Sequence, residues 1–319
     1  MAETHVRNPG IPFDLGWVMK TRVNKSAAER RAETLPKRRT VKKDWQAAWL
    51  LRAVTCIDLT TLSGDDTPGN VRRLCDKARL PVRSDILHGL GMDNVPIQVG
   101  AVCVYHARVA DAVAALRGTS IPVAAVSTGF PAGQSPFKQR VEEIGESVRA
   151  GAREIDIVIS RAHVLTGSWA ALYEEVCTFR EACGDAHMKT ILATGELATL
   201  RNVYMASLVC MMAGADFIKT STGKEKVNAT LPVGVLMTRA IREYRERTGY
   251  KVGFKPAGGI STAKSVMSWQ MLMKEELGDD WLMPDLFRIG ASSLLTDIER
   301  QLSHAVTGHY AAKHHMPMG

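Results

Sequence analysis

Two lysines stand where lysine is costly. The stretch ADFIKTSTGK (215–224) reads as a buried strand with Lys219 at its far end, and KVGFKPAGG (251–259) carries Lys255 in the same way. A charged ammonium in apolar surroundings needs a paired partner or a chemical task. Strand side chains alternate between two faces, so Lys219 shares a face with Phe217 and Ser221, and Lys255 with Gly253 and Ala257. In EIDIVIS (154–160), Ile155, Ile157 and Ile159 take one face and leave Asp156 and Ser160 on the other, which predicts a lone inward carboxylate. If the two lysine strands are neighbours, each ammonium opposes protonation of the other and desolvation acts in the same direction, so one amine is neutral near about pH 7. A neutral amine attacks carbonyls. The protonated imine it forms is an electron sink for making or breaking a C–C bond, with Asp156 moving protons directly or through water. The competing reading is a buried ion pair in which Asp156 only neutralises Lys219 or Lys255. Two inward lysines against one aspartate leave a cation over, which favours chemistry.

A second constellation lies at three consecutive strand ends: STGK (221–224), PAGG (256–259) and GASS (290–293). Backbone N–H groups at glycine turns and helix N-termini hold phosphate, so Thr222, Gly223, Lys224, Gly258, Gly259, Gly290, Ser292 and Ser293 are candidate phosphate contacts. Glycine can equally serve a tight turn, an explanation that weakens when three successive strand ends share it. GADFIKTSTGKE is not a Walker A loop, because its glycine spacing is wrong and Glu225 stands where Ser or Thr is needed. Asp58 in TCIDLTTL and Cys103 in GAVCVY share inward faces; Asp58 is a candidate for a substrate hydroxyl, while Cys103 reads first as packing. Six scattered cysteines without a C-x-x-C pair fit free thiols in a reducing compartment and argue against zinc. His309, His314 and His315 sit in a tail without carboxylate or thiolate companions and read as exposed. The expectation is therefore no metal and no cofactor.

These residues must be positioned by an alternating fold. Eight β-branched runs, at 53–62, 97–105, 121–130, 154–160, 188–197, 215–223, 251–259 and 286–293, are separated by amphipathic segments such as KQRVEEIGESVRAG (138–151). Eight βα units close a parallel (β/α)8 (TIM) barrel, whose active sites lie at the C-terminal strand ends, where the polar residues here cluster. An open doubly wound sheet also alternates, but no G-x-G-x-x-G follows the first run. The expected division is a basic helical extension at 1–45, a catalytic barrel at 46–308 and a mobile tail at 309–319. The formal charge is +8, and residues 1–44 hold eleven Lys/Arg against five Asp/Glu. RRAETLPKRRTVKK (30–43) could serve a nucleic-acid patch, but reads better as a solvated helical face continuous with DWQAAWLLRAV (44–54). Without a signal-peptide pattern or an apolar run long enough for a bilayer, the expectation is a cytoplasmic protein with no membrane partner.

Taken together, IDLTTL, AVCVY, EIDIVIS, DFIKTSTGK, GFKPAGGI and RIGASSLL resemble the deoxyribose-phosphate aldolases, specifically their longer animal-type members, from about residue 40 onward. That resemblance implies a class I, metal-independent lyase on a TIM barrel that reversibly splits 2-deoxy-D-ribose 5-phosphate, a small phosphorylated sugar, into glyceraldehyde 3-phosphate and acetaldehyde. It makes Lys219 the Schiff-base lysine, Lys255 the lysine that lowers its pKa, and Asp156 the acid/base partner. By the same likeness the phosphate lies among Gly223, Lys224, Gly258, Gly259, Ser292 and Ser293, with Asp58 and Cys103 in the substrate pocket, and a homo-oligomer is a further expectation. The chain departs from the family at Ser160, usually Asn, and His106, usually Pro, and it ends HHMPMG where bacterial relatives place a tyrosine. Two alternatives stand beside this reading: another Schiff-base aldolase of the transaldolase or keto-acid type, and a binding protein acting through residues 1–44.

Overall fold

All eight expected strands form, each shorter than its apolar run: β1 (Ile57–Thr60), β2 (Ala101–Tyr105), β3 (Val123–Ser127), β4 (Glu154–Val158), β5 (His187–Ile191), β6 (Phe217–Lys219), β7 (Gly253–Lys255) and β8 (Ile289–Ala291). The computed structural model describes residues 7–38 and 41–315. The strands are parallel in the order β7-β6-β5-β4-β3-β2-β1-β8, and bridges at Phe254↔Phe287 and Ala257↔Gly290 bring β8 back to β7. The result is a TIM barrel with helices around it and an N-terminal helical extension.

At the start of β1 the difference from expectation is one of element type. Residues 53–56 do not begin β1; they finish the helix Lys43–Thr55 and its cap. Its buried Ala47, Leu50, Leu51 and Val54 recur every three or four residues, a helical spacing that the β-branched run after it obscures.

The two faces of the strands differ in character. Ile155, Ile157, Ile218, Phe254 and Ile289 face outward into one continuous apolar core shared with the helices. Inside, Ala101, Cys103, Ala124 and Val126 form a separate small cluster. Small side chains on β2 and β3 leave interior volume that long charged side chains from the other strands occupy.

The extension is tied to the barrel rather than trailing from it. Buried Asn8 donates to the carbonyls of Met211 and Ala215 and accepts from the Tyr244 hydroxyl. Helices Leu15–Lys20 and Lys25–Thr34 start at Asp14 and Asn24, whose side chains cap Trp17 and Ala27 N–H groups. The basic run is not one helical face: the helix ends at Thr34, with Leu35 as its cap immediately before Pro36. Arg31 pairs with Glu275 and Glu276, and Arg38 with Glu275, so these arginines meet the barrel's own carboxylates. Residues 1–6, 39 and 40 of the basic extension, and 316–319 of the expected mobile tail, lie outside the described residues; His309, His314 and His315 are exposed. Among the described residues no helix is long and apolar enough to cross a membrane.

Candidate active site

Lys219 and Lys255 are register partners on adjacent strands, which brings both amines to one carboxylate. Each Nζ donates to Oδ2 of Asp156 at 2.7 Å. Lys189 on β5 donates to the other oxygen, Oδ1, at 3.0 Å, and also to Glu154. Lys255 reaches Asp58 as well, and Arg288 closes the network on Asp58 Oδ1 at 2.7 Å and Glu154 Oε1 at 2.8 Å. The expected lone carboxylate is thus corrected: three carboxylates, Asp58, Glu154 and Asp156, face four cations, Lys189, Lys219, Lys255 and Arg288, all buried. Strand alternation in EIDIVIS does place Glu154 beside Asp156, but a glutamate at the first residue of a strand reads as a solvent-facing end. Arg288, immediately before β8, escapes notice for the same reason, whereas Lys189 is the third residue of β5, where strand alternation alone pointed it inward.

The cations do not behave alike. Burial holds the Lys219 pKa below the ordinary lysine value, helped by the Lys255 charge and opposed by Asp156. Burial also disfavours the charge on Lys255 and on Lys189, but there the carboxylates outweigh it: Asp156 and Asp58 raise Lys255, and Asp156 and Glu154 raise Lys189. Against the cost of its own burial, Asp156 is held well below the carboxylate range by Lys189, Lys219 and Lys255. Cys103, beside this group, is pushed up by burial and stays a thiol. Four cations against three carboxylates leave one buried positive charge uncompensated, and a neutral Lys219 removes it.

Above the network a cavity of about 340 Å³ opens at the C-terminal ends of β1, β6, β7 and β8. Lys219 lines it; Lys189 and Lys255 do not. Its walls come from the three glycine turns: Thr222, Gly223 and Lys224; Gly258 and Gly259; Gly290, Ser292 and Ser293. Gly258 has φ +85°, and a Cβ there would stand 2.6 Å from the Asn228 side chain, so this turn requires glycine. Lys224 Nζ crosses the mouth to the carbonyl of Leu62 at 3.0 Å.

Residues 52–298 match the model of the DeoC/LacD family aldolase. The chain is similar to the deoxyribose-phosphate aldolases of Mus musculus, 66% identical over 97% of this chain and 98% of that protein, and of Homo sapiens, 63% identical over 98% of each. This chain belongs to the DeoC/LacD aldolase family. In fold it is also similar to the tetrameric deoxyribose phosphate aldolase of Aeropyrum pernix, with a TM-score of 0.57 and 23% identity, covering 81% of this chain and 97% of that one.

Two expected pocket residues of this aldolase lie below the cavity instead of in its wall. Asp58 is the second residue of β1 and fully buried, with its oxygens taken by Lys255 and Arg288; Thr60, two residues on, lines the cavity in its place. Cys103 packs inside the barrel with Ala101, Ala124 and Val126. The departures from the family pattern have local partners. Ser160 Oγ accepts from Arg140, which also pairs with Glu175 at 2.7 Å, and His106 pairs with Glu143, whose other oxygen accepts from the Gly129 N–H. Sequence reasoning gave Glu225 no role beyond excluding a Walker motif, yet it is buried and accepts from the N–H groups of Thr222 and Gly223.

Proposed function

We propose that this chain is a class I aldolase that reversibly splits 2-deoxy-D-ribose 5-phosphate into D-glyceraldehyde 3-phosphate and acetaldehyde through a Schiff base on Lys219. The observation that carries the assignment of the nucleophile is selection among three interior lysines. Only Lys219 both lines the cavity and has a lowered pKa. The near full-length likeness to mammalian deoxyribose-phosphate aldolases supports the substrate.

In this reading the neutral Lys219 amine attacks C1 of the open-chain sugar and, with loss of water, forms a protonated imine. A base takes the C3 hydroxyl proton, the C2–C3 bond breaks, and its electron pair moves into the imine to give an enamine. Glyceraldehyde 3-phosphate leaves; the enamine takes a proton at C2 and water releases acetaldehyde. Asp156, 2.7 Å from both Nζ atoms, is the path along which a proton passes between Lys219 and Lys255. The Lys255 charge adds to burial in lowering the Lys219 pKa. The phosphate is assigned to the turns at Gly258–Gly259 and Ser292–Ser293, the latter at the N-terminus of helix Leu294–Thr307, which has no side-chain cap. The reading includes a cytoplasmic place in deoxyribonucleoside breakdown, a homo-oligomer, and the division into extension (1–45), barrel (46–308) and tail (309–319).

The test is product formation from deoxyribose 5-phosphate, with acetaldehyde followed by its reduction in a coupled NADH assay. Acetaldehyde and glyceraldehyde 3-phosphate in equal amounts are expected. Turnover only of a ketose phosphate or a keto acid would assign the same imine chemistry to a different substrate.

A further inference from the structure

Glu225 is the one acidic residue in the stretch STGKE, and its carboxylate turns back on the loop that precedes it. Oε1 and Oε2 accept from Thr222 N–H at 3.0 and 3.1 Å, and Oε2 from Gly223 N–H at 3.2 Å. The side chain is 2% exposed, and the cavity is lined by Thr222, Gly223 and Lys224 but not by Glu225. The carboxylate therefore sits behind the turn, and the two N–H groups point away from the cavity. Its nearest cation, Arg161, is 3.9 Å away and itself holds Glu196 at 2.7 Å, so the compensation is shared. On the other side Asn228 Nδ2 donates to the Glu225 carbonyl, and Asn228 packs where a side chain on Gly258 would be, which joins this turn to the Gly258–Gly259 turn.

We infer that Glu225 is a specificity-determining residue that limits how tightly the cavity grips phosphate. This rests on reading the cavity as a phosphate pocket, and it deepens that reading. A glycine turn at a strand end normally offers its N–H groups to an anion. Here those of Thr222 and Gly223 are taken by an internal anion, and a phosphate seated on the far side of the turn meets a buried negative charge. The grip is left to Lys224 and to the Gly258–Gly259 and Ser292–Ser293 turns.

The experiment is calorimetric titration of inorganic phosphate into the full chain, its Glu225→Gln variant and its Glu225→Val variant. Borohydride trapping with acetaldehyde, which carries no phosphate, is run on the same samples. The glutamine amide keeps one acceptor for Thr222 N–H and removes the charge. At a separation of several ångströms that charge change is expected to tighten phosphate by about three- to tenfold, with the valine variant at least as tight and acetaldehyde trapping unchanged in both. Unchanged or weaker phosphate binding in Glu225→Gln would overturn the inference, and trapping on the same protein would show independently whether the imine assignment stands. If none of the three proteins binds phosphate, the inference falls together with the phosphate pocket, again without touching the trapping result.

Discussion

Lys219 and Lys255 share a single acceptor, Oδ2 of Asp156, at 2.7 Å each. Two ammonium groups on one carboxylate oxygen make each proton harder to keep, and the burden falls on Lys219, because Lys255 also has Asp58. The arrangement links the parallel register of β6 and β7 to the protonation state of the proposed nucleophile.

Removing Lys255 should expose that link. In Lys255→Leu the cation that lowers Lys219 is gone while Asp156 remains, so the Lys219 pKa rises. The rising limb of kcat/KM against pH, which reports deprotonation of the free amine, is expected to move to higher pH, with a reduced maximal rate. An unmoved limb would mean that Lys255 does not set the charge on Lys219.

The interior network makes a separate claim about stability. Lys189→Met leaves Glu154 and Asp156 short of a buried partner and is expected to cost about 3–5 kcal/mol in urea unfolding, the range for breaking a buried pair. A loss below about 1 kcal/mol would show that the remaining cations rebalance the site.

Acid should act on the same groups with a definite sign. Asp58, Glu154 and Asp156 have folded pKa values below their unfolded ones. Their contribution is therefore present above the unfolded carboxylate value of about 4 and is lost as pH falls below it. Unfolding free energy measured in urea is expected to fall steeply below about pH 4, and Glu154→Gln should flatten that fall. Equal slopes in the two proteins would place the acid sensitivity elsewhere.

Gly258→Ala tests the glycine turn. With φ at +85° and Asn228 at 2.6 Å, the new Cβ forces the turn to shift, at a cost of about 1–3 kcal/mol. KM for deoxyribose 5-phosphate is expected to rise about tenfold, with trapping by acetaldehyde alone unaffected. Parallel loss of both would indicate that the turn supports Lys219 rather than phosphate.

Much of this was legible in residue order. Eight β-branched runs give the eight strands, and period-two counting places Lys219, Lys255 and Asp156 inside, because strand alternation is local and tertiary packing does not alter it. What was not legible depends on distance. Glu154 and Arg288 stand at or before strand starts, where charge normally meets solvent; only closure of the barrel buries them against each other. Asp58 was placed on the correct face but at the wrong height, since the first four residues of its run belong to a helix and the strand begins later. Glu225 acts through the backbone of its own turn, a relationship that requires coordinates.

The central claim is that Lys219 is the amine that forms the imine. Borohydride reduction in the presence of acetaldehyde, followed by peptide mass mapping, tests it most directly. The account predicts one adduct, on the peptide containing Lys219, absent from Lys219→Ala. An adduct on Lys189 or Lys255, or none under conditions that label a known Schiff-base enzyme, would contradict it.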